Sequence, residues 1–396
     1  MKKFFYKLTA IIIAVILLLP ICVEVFGEET DSVPQENPLG VPEGSLNLNC
    51  KSAILMEATT GTVLYAQNAD EALPPASVTK VMTLLLVMEA IDAGTIRIDD
   101  TISVSANAAS MGGSQVFLKE GEQMSVEDLL KSVVIASAND AAVALAEHIS
   151  GSVEAFVAKM NARATELGMK STKFENVTGL DDTAEHHLTS ARDIALMSCA
   201  LVAHPLVLQY SSIWMDSIRD GAFGLTNTNR LVRFYKGCTG LKTGSTSKAG
   251  FCISATAERD GLSLVCVIMG AESRDIRNAA ATALLDWGFA NFALFQEDAG
   301  TSEAVSVKGS AKREICGTYP AFSCVVRREE LSKIEKKITL TESITAPTSL
   351  GEKIGEVSFW CGQKQIGCVD ICTENEIERI GFFEILWHLL AKSLLI

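Results

Sequence analysis

Ser77 and Lys80 stand three residues apart in "PPASVTKVMTLLLVMEAI", residues 74 to 91. On a helix that spacing puts both side chains on one face, with Cβ atoms about 5–6 Å apart. A serine hydroxyl is a weak nucleophile until a base takes its proton, and an amine can serve as that base only when neutral. Lowering a lysine from its ordinary pKa of about 10.4 to around 7 requires roughly 4–5 kcal/mol, which burial and a second nearby cation can supply. The segment itself points to burial. After two prolines, Val81, Leu84, Leu85, Leu86, Val87, Met88 and Ile91 leave the predicted helix with almost no polar face. A lysine entering such an interior must be paired, neutralised or working. The positive end of the helix dipole adds to the environment of Ser77.

S-x-x-K alone carries little weight, because the chain repeats it at Ser245 and Lys248. Two further groups give it company. Ser137-Ala138-Asn139 falls in a short break between two helical runs, where a hydroxyl and an amide can face a cleft; the same pattern recurs at Ser105-Ala106-Asn107. Lys242-Thr243-Gly244 occurs once, on a predicted strand with a turn at Gly244-Ser245, where glycine lets a substrate backbone approach.

The elements that must position these groups come in the order strands, helices, strands, helix. "SAILMEATTGTVLYAQNAD" reads as a hairpin, residues 74 to about 215 as mostly helical, and "GLKTGSTSKAGFCISATAERDGLSLVCVIMG" as three strands with a second turn at Asp260-Gly261. The helix "RNAAATALLDWGFANF" follows. This order predicts an α+β domain at 48–292: one antiparallel sheet, covered by the last helix, with the middle helices beside it. Short alternating runs over 293–378 predict a small β-sandwich-like, all-β domain.

The rest of the chain bounds the function. Its 396 residues, 48% hydrophobic and 21% charged, suffice for two cores. A net charge of −14 without a basic face excludes a nucleic-acid partner. Residues 1–27 read as a secretory signal peptide, with a basic start and an apolar run from Leu8 to Val23, and the polar 28–47 as a linker. The chain has 11 cysteines, ten of them after that leader, in no disulfide framework, although Cys361, Cys368 and Cys372 lie close enough on a predicted hairpin to allow a bridge. No metal-ligand spacing is present, no metal or cofactor is implied, and His186-His187 reads as a solvated turn. In the terminal segment 379–396, Glu384, His388 and Lys392 recur every four residues against an apolar remainder from Gly381 to Ile396. Sixteen residues make roughly 24 Å of helix, short of a ~30 Å hydrocarbon core, so an amphipathic helix lying in a membrane surface is expected.

The three groups in this order match the signature of penicillin-binding proteins and class A β-lactamases. The sequence resembles the D-alanyl-D-alanine carboxypeptidases, the low-molecular-mass penicillin-binding proteins, and looks most like their Gram-positive, sporulation-associated branch. "GGSQVFLKEGEQMSVEDLLKSVVIASANDAAVALAEH", "ELGMKSTKFENVTGLDD" and "LTNTNRLVRFYKGCTGLKTGSTSKAGFCISATAERDG" carry the likeness. It implies a penicillin-binding-protein-like fold and a serine carboxypeptidase that removes the terminal D-alanine from peptidoglycan stem pentapeptides and is acylated by β-lactams. It implies that Ser77 is the nucleophile, Lys80 the base and Ser137 the proton relay. Asn139 would hold the substrate amide; Lys242 would help keep Lys80 neutral and attract the terminal carboxylate, and Thr243 would hydrogen-bond it; Arg277 falls where the family places a substrate-binding arginine, the alternative being a helix surface charge. The N–H groups of Ser77 and Ser245 would form the oxyanion hole beside Gly244. Ala138 stands where the family often has glycine, and its methyl is expected to be tolerated while narrowing the cleft. The implied location is the outer face of the cytoplasmic membrane, peripherally held. A serine β-lactamase and a non-catalytic wall-binding scaffold share the fold; the absence of an E-x-x-L-N segment and the complete motif set weigh against each in turn.

Overall fold

The computed structural model describes Leu46, residues 48–180 and residues 184–394. The predicted signal peptide and, apart from Leu46, the predicted linker lie outside these residues.

Strands β1 (Ser52–Glu57) and β2 (Val63–Gln67) form the expected hairpin. A 3-10 turn at Ala76–Thr79 runs into α1 (Lys80–Asp92), followed by α2 (Val126–Ala136), α3 (Asn139–Ser150), α4 (Val153–Glu166) and α5 (Ala191–Val202). Then come β3 (Cys238–Thr246), β4 (Gly250–Arg259), β5 (Leu262–Ala271) and α6 (Arg274–Asn291). The five strands make one antiparallel sheet in the order β2-β1-β5-β4-β3, with β3 at an edge.

Both faces of this sheet are buried. Along β1, Ile54 and Met56 join the helical core, whereas Ala53 and Leu55 join a second core under α6. Helix α5 packs on β1 and β5 from the first side and α6 on β4 and β5 from the second. The middle helices therefore do not merely stand beside the sheet, as the element order suggests. A strand such as "SLVCVIMG" is apolar at nearly every position because each of its alternating faces meets a different core.

Two local expectations are corrected. No turn occurs at Gly244-Ser245: β3 continues to Thr246, with Lys242 opposite Ser254 and Ser245 opposite Phe251, and the chain reverses at 247–249. The helix expected from residue 74 begins instead as the 3-10 turn, whose first residue, Ala76, is in a left-handed conformation (φ 48°).

Beyond α6, residues 292–373 form short strands joined by loops and turns, with a 3-10 turn at Leu331–Lys333 and no α-helix. Ile354, Val357, Phe359 and Ile371 fill their core, with Phe322 stacked on Phe359 at 4.6 Å. In the hairpin of Lys353–Cys361 and Lys364–Thr373, Cys361 faces Lys364, Cys368 faces Ser358 and Cys372 faces Lys353. The register thus separates the three sulfurs, and all ten described cysteines are free. The last helix, α7 (Phe382–Leu394), leaves Phe382, Phe383 and Trp387 more than 70% exposed. Among the described residues no single helix is long and apolar enough to cross a membrane. The side chains of His388 and Lys392 lie outside the description.

Candidate active site

The turn that carries Ser77 is pressed against the edge strand. A Cβ built on Gly244 would lie 2.7 Å from the Ser77 nitrogen and 2.9 Å from the Pro75 oxygen. No real Cβ contact is that short, so glycine at 244 is required by the approach of the Ser77 backbone and not by a turn. One side of this junction opens into a cleft of about 590 Å³ lined by Ser77, Ser137, Thr243, Gly244, Ser245 and Arg277, among others.

Lys80 Nζ lies 3.0 Å from Ser77 Oγ and donates to the Thr178 carbonyl at 2.8 Å. Its side chain is fully buried. Burial first, and the nearby Lys242 second, hold its pKa well below the ordinary lysine range, with the buried Asp140 carboxylate opposing them. A neutral amine has two hydrogens to give and one lone pair. Donation to Thr178 leaves that lone pair free to receive the Ser77 hydroxyl proton. Lys242, also buried, donates to the Thr243 carbonyl at 2.9 Å. Burial and then the Arg277 guanidinium bring its pKa down to about 7.

The Thr178 carbonyl is itself held in place. Asn176 Oδ1 accepts from the N–H groups of Thr178 and Gly179, Asn176 Nδ2 donates to the Leu180 carbonyl, and Thr83 Oγ1 donates to the Val177 carbonyl. This is the segment "FENVTGL", part of a stretch that carries the family likeness but to which the sequence assigns no role.

The break between α2 and α3 falls at Ser137, which adopts φ 64° and lines the cleft with its buried Oγ in no hydrogen bond. Asn139 starts α3 but does not line the cleft; its Nδ2 donates to the Gly112 carbonyl at 2.7 Å, and its buried Oδ1 has no partner. The Ala138 methyl does not narrow the cleft: it is fully buried in the helical core. Thr243 Oγ1 donates to Thr228 Oγ1 at 2.8 Å. Arg277 is buried, contacts the Cys252 carbonyl and Asn278, and reaches the cleft from α6.

The structure separates the motif copies. Ser105 caps a short helix through the Ala108 N–H and donates to Glu147, to which Asn107 Nδ2 also donates, so that copy is a surface brace. Ser245 and Lys248 lie on a strand end and the following turn, not on a helix face.

Several residues carry no motif. Arg230 and Arg274 join Arg277 in lining the cleft, whose described lining contains no carboxylate, although the whole chain is at −14. The available signal was local: "NRLVR" and "SRDIR" are cationic stretches in an acidic chain. His187 is not in a solvated turn. It is buried and bonded to Thr79, whereas His186 is exposed. Among the described residues no group of three His, Cys, Asp or Glu could hold a metal ion.

Comparison with known proteins agrees with this geometry. The family model for D-alanyl-D-alanine carboxypeptidase matches residues 39–273, and that for the penicillin-binding protein 5 C-terminal domain matches residues 289–379. The chain is 39% identical to the D-alanyl-D-alanine carboxypeptidase DacF of Bacillus subtilis over 85% of this chain and 88% of that one. It resembles the crystal structure of penicillin-binding protein 5 from Haemophilus influenzae with a TM-score of 0.74 at 30% identity, covering 86% of this chain and all of that one. The ampicillin-bound form of penicillin-binding protein D2 from Listeria monocytogenes matches with a TM-score of 0.57 at 33% identity, over 62% of this chain and 99% of that one.

Proposed function

Because the chain belongs to the D-alanyl-D-alanine carboxypeptidase family, we propose that Ser77 is the residue acylated in its reaction and Lys80 the base that activates it. The enzyme is a serine-type D-Ala-D-Ala carboxypeptidase that removes the terminal D-alanine of peptidoglycan stem pentapeptides through an acyl-enzyme and binds penicillin. The observation that carries the assignment is the 3.0 Å approach of a buried, deprotonation-prone Lys80 to Ser77 Oγ.

In this account Ser77 Oγ attacks the carbonyl carbon of the penultimate D-alanine while its proton passes to Lys80. The N–H groups of Ser77 and Ser245 receive the oxyanion. Collapse breaks the peptide C–N bond, and the leaving amine takes its proton by way of Ser137. Water then releases the tetrapeptide and restores Ser77. The terminal carboxylate rests against Thr243 and Arg277, which line the cleft, with the buried Lys242 supplying charge from behind Thr243; Asn139, outside the lining and bonded to the Gly112 carbonyl, braces the wall rather than holding the substrate amide. The free edge of β3 offers backbone groups to an extended peptide. A β-lactam opens on Ser77 in the same way but keeps its leaving amine tethered. Labelled penicillin and D-alanine release, measured on wild type, Ser77→Ala and Ser245→Ala, test the assignment. Only Ser77→Ala should lose covalent labelling, and retention of label by that variant would refute it.

We further propose that 48–292 is the catalytic unit, 293–378 a separate β domain and 379–396 an anchor that holds an exported enzyme peripherally on the outer face of the cytoplasmic membrane. The exposed rings of Phe382, Phe383 and Trp387 support that last role.

A further inference from the structure

Ala76 holds a left-handed backbone at φ 48°, a conformation that costs a residue with a Cβ and persists only where its surroundings impose it. Those surroundings converge on one atom, the Ala76 carbonyl oxygen. Thr79 Oγ1 donates to it at 2.8 Å. Gly179, at φ 80°, passes so close that a Cβ there would lie 1.8 Å from the same oxygen.

The hydrogens in this cluster have only one arrangement. His187 Nδ1 accepts the Glu175 N–H at 3.0 Å, so the neutral ring carries its proton on Nε2. Thr79 has one hydroxyl hydrogen and gives it to Ala76. Its 2.8 Å contact with His187 Nε2 is therefore a bond that the imidazole donates. Burial keeps the ring neutral, lowering its pKa to about 4, and the Phe174 ring lies edge-on at 5.7 Å. His187 and Thr79 lie outside the cleft lining and do not bond to Ser77 Oγ.

The Ala76 carbonyl and the Ser77 N–H belong to one planar, trans peptide unit, so they point in opposite directions. Pinning the oxygen from behind aims the N–H at the cleft. We propose that His187 is a positioning residue for the oxyanion hole: through Thr79 it fixes the Ala76 carbonyl and thereby the direction of the Ser77 N–H. The inference rests on the assignment of Ser77 as nucleophile and oxyanion donor.

The test uses the full chain and two readouts, the rate of penicillin acylation and the affinity for a peptidyl boronic acid that forms a tetrahedral adduct on Ser77. Thr79→Val and His187→Leu should each lower both by about 10- to 100-fold, a part of what loss of an oxyanion donor costs, while KM for a pentapeptide changes less than threefold. Thr79→Ser, which restores the relay, should lie within about fivefold of wild type. The double variant Thr79→Val, His187→Leu should be no worse than Thr79→Val alone, because the two act in series. Folded Thr79→Val with unchanged boronate affinity, or a loss confined to KM, would overturn the proposal. Thr79→Val is nearly isosteric and serves if His187→Leu does not fold. Labelling of Ser77→Ala would overturn the nucleophile assignment instead; a silent Ser77→Ala with a wild-type Thr79→Val removes the positioning role alone.

Discussion

Gly244 approaches Ser77 so closely that a Cβ on the strand residue would sit 2.7 Å from the Ser77 backbone nitrogen. The atoms it would meet are backbone, in Ser77, Pro75 and Val78, and cannot swing aside. Gly244→Ala must therefore part β3 from the turn, separating the N–H groups of Ser77 and Ser245. Penicillin acylation should fall by about 10²-fold or more, with a stability loss of about 1–3 kcal/mol from overpacking. Acylation near the wild-type rate would show that the two segments are not packed as described.

Lys242→Gln tests the coupling of the two buried lysines. The charge on Lys242 helps to depress the Lys80 pKa, and the reaction needs Lys80 neutral. Its removal lets the Lys80 pKa rise, so the acidic limb of the acylation rate profile should move to higher pH. The rate at fixed neutral pH falls as a consequence. An acidic limb that stays in place would mean that the two groups do not communicate.

His187 makes stability depend on acidity. Unfolded, its imidazole titrates near 6.5; folded, near 4 because it is buried, with Glu175 opposing that shift. Between these values the unfolded chain binds a proton that the folded chain does not. The contribution is fully present above about pH 6.5 and is lost as the pH falls to about 4, a span worth roughly 3 kcal/mol. Denaturant midpoints measured from pH 7 to pH 4 should fall more steeply for wild type than for His187→Gln. Parallel curves would contradict the buried neutral imidazole.

The anchor role of α7 predicts that removing residues 381–396 releases active enzyme into the soluble fraction. Its turnover on a free pentapeptide should match that of the full chain, since Phe382, Phe383 and Trp387 lie largely exposed. Truncated enzyme that stays with the membrane, or that unfolds, would assign the helix to the fold.

Much of the site was legible because its chemistry needs particular side chains at particular offsets. Ser77 with Lys80, and Lys242 with Thr243, are such pairs, and the structure brings Ser77, Ser137 and Thr243 to one cleft with the two lysines buried behind it. Where the sequence misleads, one residue type serves two purposes. Gly244 reads as a turn glycine, yet what demands it is a close approach 167 positions away in the chain, at Ser77. His187 sits in a polar loop with no periodicity; its burial arises only when Thr79 and the Glu175 N–H close on its ring. Ser105 and Ser137 share a motif and part company only in their partners, Glu147 for one and none for the other. The covering of both sheet faces was hidden because a fully apolar strand does not say which elements bury it.

The central claim is that Ser77 attacks with Lys80 as its base, and the most direct test is to locate the acyl group. The enzyme is trapped with penicillin, digested, and the modified peptide sequenced by mass spectrometry. The adduct should lie on Ser77 in wild type and be absent in Ser77→Ala, while Lys80→Ala, which keeps the serine but removes its base, should acylate slower by several orders of magnitude. An adduct on Ser245 or Ser137, or a Lys80→Ala variant that acylates at the wild-type rate, would contradict the mechanism.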